Sequence, residues 1–192
     1  WEGFIDDISK ATNGSGARII QVDVNGNWLI PEVQIHAAEK ITEILSSTDP
    51  ENKKFYEKNL VSYKNRMKTL DRKVKTMIST NKMKDVPVIC SAMQKDLIEY
   101  FGLKVIGCFG RDEEISPGVI TNLINDSNKY HVKIIVSNLQ SGTSVGEMLA
   151  KRMHLPHAVL SNFPGGLKGT DNVENTLLKN LQVIIDSLKT IQ

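Results

Sequence analysis

Hydroxyl and amide side chains collect in short turns of this sequence, and such side chains hold ligands by hydrogen bonds. The turns comprise residues 25–28, 90–92, 108–111, 138–143 and 161–166. Most of them follow β-branched runs that are typical of buried strands. Ligands of parallel sheets bind beyond the carboxyl ends of the strands, next to helix N-termini. The turns therefore predict a polar cleft, although backbone capping is the simpler role for any single side chain.

The remaining reactive residues do not predict a catalytic centre. His154 and His157 form an HLPH pattern, but they lie at the amino end of a predicted strand, and a metal needs more than two ligands. The segment SNLQSGTSVGE lacks the lysine of a phosphate-binding loop. Cys90 ends a predicted strand without an acid or histidine beside it, so a buried inert thiol is favoured over a nucleophile or ligand. We expect no enzyme activity and no catalytic residue.

Alternating strand and helix patterns must position these turns. The predicted strands are 18–24, 86–90, 103–108, 132–137 and 157–161. The predicted helices are 93–101, one that Ser116 caps and Pro117 begins, 144–153 after a cap at Thr143 or Ser144, and 172–190. Repeated strand–helix–strand units predict an α/β fold with a parallel sheet.

One helix is longer than a crossover between strands requires. It is predicted to begin after Asp49 and Pro50 and to continue to about Thr80, with an apolar stripe at spacings of four and three. Such a helix would be roughly 45 Å long. A coiled coil and a rod across a two-lobed protein both fit, and strands on either side favour the rod. The rod divides the chain into 1–48, 49–81 and 82–192.

Composition excludes several classes of function. The 192 residues carry a net charge of +2, with acids interleaved among the lysines, so no nucleic-acid surface is indicated. No apolar run approaches the roughly 20 residues that span a bilayer. The two cysteines fit an intracellular thiol pair as well as one bridge in an exported protein. The opening WEGFIDD has no initiator Met and no signal peptide, so we expect a piece of a longer protein.

The order of several motifs resembles one family. A Trp-x-x-Pro turn in NWLIP, DPENKKFYEKN at the long helix, YFGLKVIG, ISPGVITNLI, VKIIVSNLQ and a terminal helix striped by Leu177, Leu181 and Leu188 occur in sequence. Together they resemble the metal-type (zinc/manganese) periplasmic solute-binding proteins of ABC importers.

The resemblance implies two α/β lobes with parallel sheets, joined by one long rigid helix, with the solute between them. Residues 1–48 would be the C-terminal part of the N-lobe, 49–81 the linking helix and 82–192 a complete C-lobe. It also implies an extracytoplasmic location, periplasmic or at the cell surface, and an ABC permease in the membrane as partner. The first third of the family's length, with a signal sequence or lipoprotein anchor and the first ligand, would be missing. We expect a monomer without a cofactor.

The resemblance also assigns the ligand positions, and here the sequence departs from the family. Gly26 and Ser91 stand where the family has histidines, Asn138 where it has an acid, and Ser161 or Asn162 where it has an aspartate. With Asn27 and Trp28 these are the implied ligand-binding residues. None is a ligand that zinc prefers. We therefore expect a non-metal, chelated or oxyanionic solute, with Trp28, Phe109 or Phe163 stacking on an organic part.

The alternative is a genuine transition-metal receptor. It would use ligands from the missing N-terminal segment together with Cys90 and Met93, whose sulfur atoms suit soft metals. A scaffold or adhesin with a degenerate cleft also stays open, as does the identity of the solute.

Overall fold

The computed structural model describes residues 7, 8, 10, 11, 19–111, 113 and 115–190. The described residues form a four-stranded parallel sheet in the order β2-β1-β3-β4. Its strands are β1 (Pro87–Ser91), β2 (Lys104–Phe109), β3 (Ile134–Asn138) and β4 (His157–Leu160). They confirm the α/β fold and four of the predicted strands.

The prediction of a strand at 18–24 is wrong for residues 19–24, the part of this range that the structure describes. Residues 19–24 have no regular secondary structure and are exposed except for the half-buried Val22 and Val24, while Arg18 lies outside the described residues. A strand needs a neighbour to complete its backbone hydrogen bonds, and no described strand pairs with this segment. The β-branched pattern of this segment thus does not produce a strand among the described residues.

Helices cover the sheet and follow its strands in the predicted order. They are α1 (Pro31–Thr48), α2 (Lys53–Thr80), α3 (Lys95–Tyr100), α4 (Pro117–Tyr130), α5 (Ser144–Met153) and α6 (Val173–Lys189). The cap at Ser116 is confirmed, since its Oγ accepts from the Val119 amide at 3.4 Å. Among the helices of the described part, none combines the length and the apolarity that crossing a bilayer requires.

The long helix begins later than its sequence predicts. A 3₁₀ turn at Pro50–Asn52 precedes α2. The Asp49 carboxylate does not cap the backbone of this turn; it accepts from Asn52 Nδ2 at 2.8 Å and from the Tyr56 hydroxyl at 2.7 Å. The predicted uninterrupted helix from Asp49 is thus corrected to a tight turn followed by a 28-residue helix.

The predicted apolar stripe of α2 is buried or half-buried along its whole length. None of its members is exposed: Tyr56, Leu60, Tyr63, Met67, Leu70, Val74 and Met77. Met67 and Val74 are inaccessible to solvent and share one core cluster with Leu29 before α1 and Val88 in β1. The stripe therefore packs inside this chain, as a rod does, and not against a second helix of a coiled coil. The division into 1–48, 49–81 and 82–192 stays a prediction.

Both faces of the sheet are covered. On one face, Val88 and Cys90 pack with residues of α2, α3 and α6. On the other, Ile89 and Ile135 pack with residues of α4 and α5. Strands buried on both faces read as continuous apolar runs, which is why β1 and β3 were recognisable in the sequence.

The stripe of α2 can be tested by truncating its most buried residue. We expect Met67→Ala to lower the free energy of unfolding by about 2–5 kcal/mol, because a buried Met leaves a cavity when it is shortened. Urea denaturation followed by circular dichroism measures the change. Lys73→Ala, on the exposed side of the same helix, should stay within about 0.5 kcal/mol. Equal losses in both variants would contradict the assigned buried face.

Candidate functional site

A group of hydrogen-bonded polar side chains lies at the carboxyl edge of the sheet. It comes from the turns after β1, β3 and β4 and from the turn before α1. We call it the amide cluster; its members are Asn27, Gln94, Asn138, Gln140, Ser161 and Asn162. Parallel strands present their carboxyl ends at one edge, which is why residues so distant in sequence meet here.

Asn162 is the centre of the amide cluster. Its Oδ1 accepts from Asn27 Nδ2 at 3.0 Å and from Gln94 Nε2 at 3.1 Å. Its Nδ2 donates to the Met93 carbonyl at 3.2 Å. One side chain thus connects the turn before α1 with the turns that follow β1 and β4.

Gln94 and Ser161 are the two fully inaccessible members of the cluster. Gln94 lies in the 3₁₀ turn Ala92–Gln94, and its Nε2 also donates to Asn138 Oδ1 at 2.9 Å. Its Oε1 has no hydrogen-bond partner among the described residues. An unpaired buried amide oxygen costs free energy, so this atom is the one acceptor in the cluster that a ligand would satisfy.

Sequence reasoning missed Gln94, although a signal was present. Leu97, Ile98 and Phe101 follow it at helical spacing and are all buried. A polar residue on an apolar face must have a polar partner inside the protein. The rule that ligands bind at strand ends selects only the residues directly after each strand, and Gln94 lies three positions after β1.

Ser161 is held by a second network that the sequence did not reveal. Asn180 of α6 is fully buried; its Oδ1 accepts from the Ser161 amide at 3.1 Å and its Nδ2 donates to the Ser161 carbonyl at 2.8 Å. Gln140 Nε2 donates to Ser161 Oγ at 2.8 Å, while Gln140 Oε1 accepts from the Asn162 amide at 3.1 Å. The turn after β4 is therefore rigidly positioned.

Two glycines permit this arrangement. Gly26 has a φ of +107°, where a side chain is strained. A Cβ on Gly166 would lie 2.1 Å from Ser161 Oγ and 3.1 Å from Gln140 Nε2. Gly26 therefore has a backbone role in the turn that carries Asn27, and Gly166 allows its loop to close on Ser161.

The other predicted site residues differ in accessibility. Trp28 is 44% exposed and Phe163 49% exposed, so both can reach a ligand. Phe109 is buried in the core beneath α4 and α5 and cannot stack on a solute. Ser91 is buried as the last residue of β1.

The two histidines of the HLPH pattern have structural contacts. His157 Nε2 lies 2.8 Å from Ser137 Oγ, and burial lowers the pKa of this imidazole. His154 ends α5 in the left-handed conformation. Within the described ranges, no three His, Cys, Asp or Glu side chains are grouped as metal ligands. The amide cluster is accordingly neutral.

Cys90 and Met93, the alternative ligands, lie in different surroundings. Cys90 is fully buried, whereas Met93 is 51% exposed. Cys90 Sγ lies 3.8 Å from Cys108 Sγ. The Cys90 thiol lowers the pKa of Cys108 to about 7 by donating to its thiolate. The same hydrogen bond, together with burial, raises the pKa of Cys90 far above its usual range.

Comparisons with known proteins identify similar chains. A family profile described as "Zinc-uptake complex component A periplasmic" (ZnuA) matches residues 20–191. The high-affinity zinc uptake system protein ZnuA of Bacillus subtilis is 26% identical over 167 residues, which are 84% of this chain and 52% of that protein. Zinc-binding protein AdcA of Streptococcus pyogenes serotype M3 is 28% identical over 163 residues, or 82% of this chain and 32% of that protein.

Solved structures share the fold. A periplasmic metal binding protein from Candidatus Liberibacter asiaticus superposes with a TM-score of 0.71 at 22% identity, over 90% of this chain and 68% of that one. The laminin-binding protein Lbp of Streptococcus pyogenes gives 0.69 at 23% identity, over 89% and 68%. The chain spans about half the length of the Bacillus subtilis relative and a third of AdcA.

The contribution of Asn180 to holding the Ser161 backbone in place can be measured by substitution. We expect Asn180→Leu, which is similar in volume, to lower the free energy of unfolding by about 2–4 kcal/mol, because the Ser161 N–H and C=O lose their partners in a buried place. Amide exchange at Ser161 should become faster by NMR. Lys179→Ala, exposed on the same helix, is the matched control. Unchanged exchange at Ser161 in Asn180→Leu would contradict the assigned role.

Proposed function

This chain belongs to the family of periplasmic component A proteins of zinc-uptake complexes, and from that premise we propose that it binds a divalent transition metal for an ABC importer. The family is a solute-binding component of transport and not an enzyme, as the sequence predicts. Its periplasmic description agrees with the predicted extracytoplasmic location. Because the chain spans only part of the length of its relatives, the cargo and the partners given below are our proposals for this chain.

The amide cluster is the proposed cargo position. The observation that carries the proposal is the buried Gln94 Oε1, which lacks a partner among the described residues, while Nε2 of the same amide donates to Asn138 and Asn162. Amide oxygens, like backbone carbonyls, can coordinate a cation. Asn27, Asn138 and Asn162 would contact the cargo with Gln94, while Gly26, Ser91 and Ser161 shape the turns and Trp28 borders them.

The donor chemistry narrows the choice of metal. Neutral oxygen donors suit hard ions such as Mn²⁺ better than Zn²⁺, which prefers imidazole and thiolate. A site built only of amides leaves the cation's charge uncompensated. We therefore propose that anionic groups outside the amide cluster complete the site. A sulfur ligand could come from Met93, which is accessible, more easily than from Cys90, which is buried in the core.

A second candidate cargo is a neutral polar or oxyanionic solute. The observation that favours it is the composition of the amide cluster, in which amides and a hydroxyl are hydrogen-bonded without any carboxylate. Its members could donate N–H groups to such a solute as readily as they could offer oxygens to a cation. The family and its zinc- and metal-binding relatives nevertheless favour the metal receptor.

Transport would require a partner in the membrane. We propose that an ABC permease receives the cargo from this protein, as in the family's uptake complexes. Action as a monomer and attachment through a lipoprotein anchor remain predictions from the sequence.

Metal binding to the cluster can be tested by calorimetric titration of the purified, metal-stripped chain with MnCl₂ and ZnCl₂. We expect Mn²⁺ to bind, and Gln94→Leu or Asn162→Leu to weaken it by about 10-fold each, since one lost donor is worth roughly 1.4 kcal/mol. Asn125→Leu, on the exposed face of α4, should leave the affinity unchanged.

Native mass spectrometry of the freshly purified protein distinguishes the metal cargo from the polar or oxyanionic cargo. A co-purified organic molecule or oxyanion, with no heat of binding for either metal, would reject the metal proposal and support the second candidate. Metal binding that is unaltered by both Gln94→Leu and Asn162→Leu would place the cargo elsewhere.

A further inference from the structure

Two cysteines face each other across neighbouring strands. Cys90 in β1 and Cys108 in β2 are direct partners in the parallel pairing, and their Sγ atoms are 3.8 Å apart. Adjacent strands lie about 4.7–4.9 Å apart, and disulfides form at Cα separations of about 4.4–6.8 Å. We propose that Cys90 and Cys108 form a disulfide in the exported protein.

An irregularity in the sheet creates this alignment. Val88 pairs with Val105, but Ile89 pairs with Gly107, so β2 contains one extra residue at this point. Without that bulge, Cys90 would stand opposite Gly107, and the Cys108 side chain would point to the other face. The bulge therefore brings both thiols to the same face of the sheet, where they pack in one core cluster.

The location of the family supplies the chemical conditions. Disulfides form and persist outside the cytoplasm, and the family is periplasmic. The sequence alone left a reduced pair and a bridge equally open. Their register and separation, together with this location, favour the bridge.

The oxidant would be another disulfide, either of a small molecule or of an oxidising protein. Cys108 is partly exposed on the edge strand β2, so its thiolate attacks first, forms a mixed disulfide and releases one thiol of the oxidant. The sulfur of Cys90 then loses its proton, attacks Cys108 Sγ and expels the second thiol. The two cysteines lose two electrons and two protons, and the oxidant is reduced to two thiols.

The bridge would restrain the strand that leads to the amide cluster. β1 runs directly into the 3₁₀ turn with Gln94, and the closed loop between the cysteines contains α3. Oxidation would also withdraw Cys90 from any role as a metal ligand. The inference is independent of which cargo the protein carries.

The test is oxidation of the reduced full chain by oxidised glutathione, followed by maleimide trapping and intact-mass measurement. We expect a monomer that has lost two hydrogen atoms and takes up no maleimide, with a linked Cys90–Cys108 peptide after proteolysis. Its melting temperature should exceed that of the reduced chain by about 5–10 °C, as expected for a closed loop of this length.

Single-cysteine variants distinguish formation of the intramolecular disulfide from reaction of an accessible thiol with glutathione alone. Cys90→Ala should stop at a glutathione adduct on Cys108, and Cys108→Ala should leave Cys90 unlabelled in the folded state. A wild-type chain that stops at the Cys108 adduct, that forms intermolecular dimers, or that keeps two trappable thiols would overturn the proposal.

Discussion

The side-chain amide of Asn162 is the junction on which the polar edge of this structure depends. Asn162 is half-buried, and its amide finds partners on Asn27, Gln94 and the Met93 carbonyl. Those partners belong to turns that are far apart in the chain. Satisfying one side chain therefore fixes the mutual position of three segments, and the same contacts create the polar site between them.

The hydrogen bonds within the amide cluster determine which ligands the site can bind. In a fully paired network a ligand must replace existing hydrogen bonds, each with a net value of about 1 kcal/mol. Within the amide cluster, only Gln94 Oε1 offers an acceptor at no such cost. A cation would recruit that oxygen first and then compete for the oxygens of Asn138 and Asn162, which now accept from Gln94 Nε2. Because the donors are neutral, the charge of a bound metal must be balanced by groups other than the amide cluster.

The sequence predicted those parts of the fold that depend on local apolar pattern. β1, β3 and the stripe of α2 are buried on almost every side, so their residue types alone indicate them. Residues 19–24 are also rich in β-branched side chains but pair with no strand among the described residues, and pairing is a tertiary property. The turns selected from the sequence contain Asn27, Asn138 and Asn162, which the structure brings together, while Gln94 and Asn180 lie inside helical segments and were not selected. Their burial depends on packing between distant elements, which a single sequence does not display.

The strand β1 connects the thiol pair with the amide cluster. Whether oxidation of the thiols affects the cluster electrostatically or mechanically depends on the charge of the thiol pair before and after oxidation. Below the Cys108 pKa of about 7, both thiols are protonated and, like a disulfide, neutral, so oxidation would not alter the electrostatic potential at Gln94. Oxidation would instead restrict the movement of β1 along the edge strand β2. The bulge at Ile106 interrupts the regular pairing of these two strands. A bridge would restrict movement next to the turn that positions the unpaired Gln94 oxygen. In that pH range, any influence of the bridge on cargo binding must therefore act through preorganisation of the site, because cross-linking adds no new ligand and changes no charge.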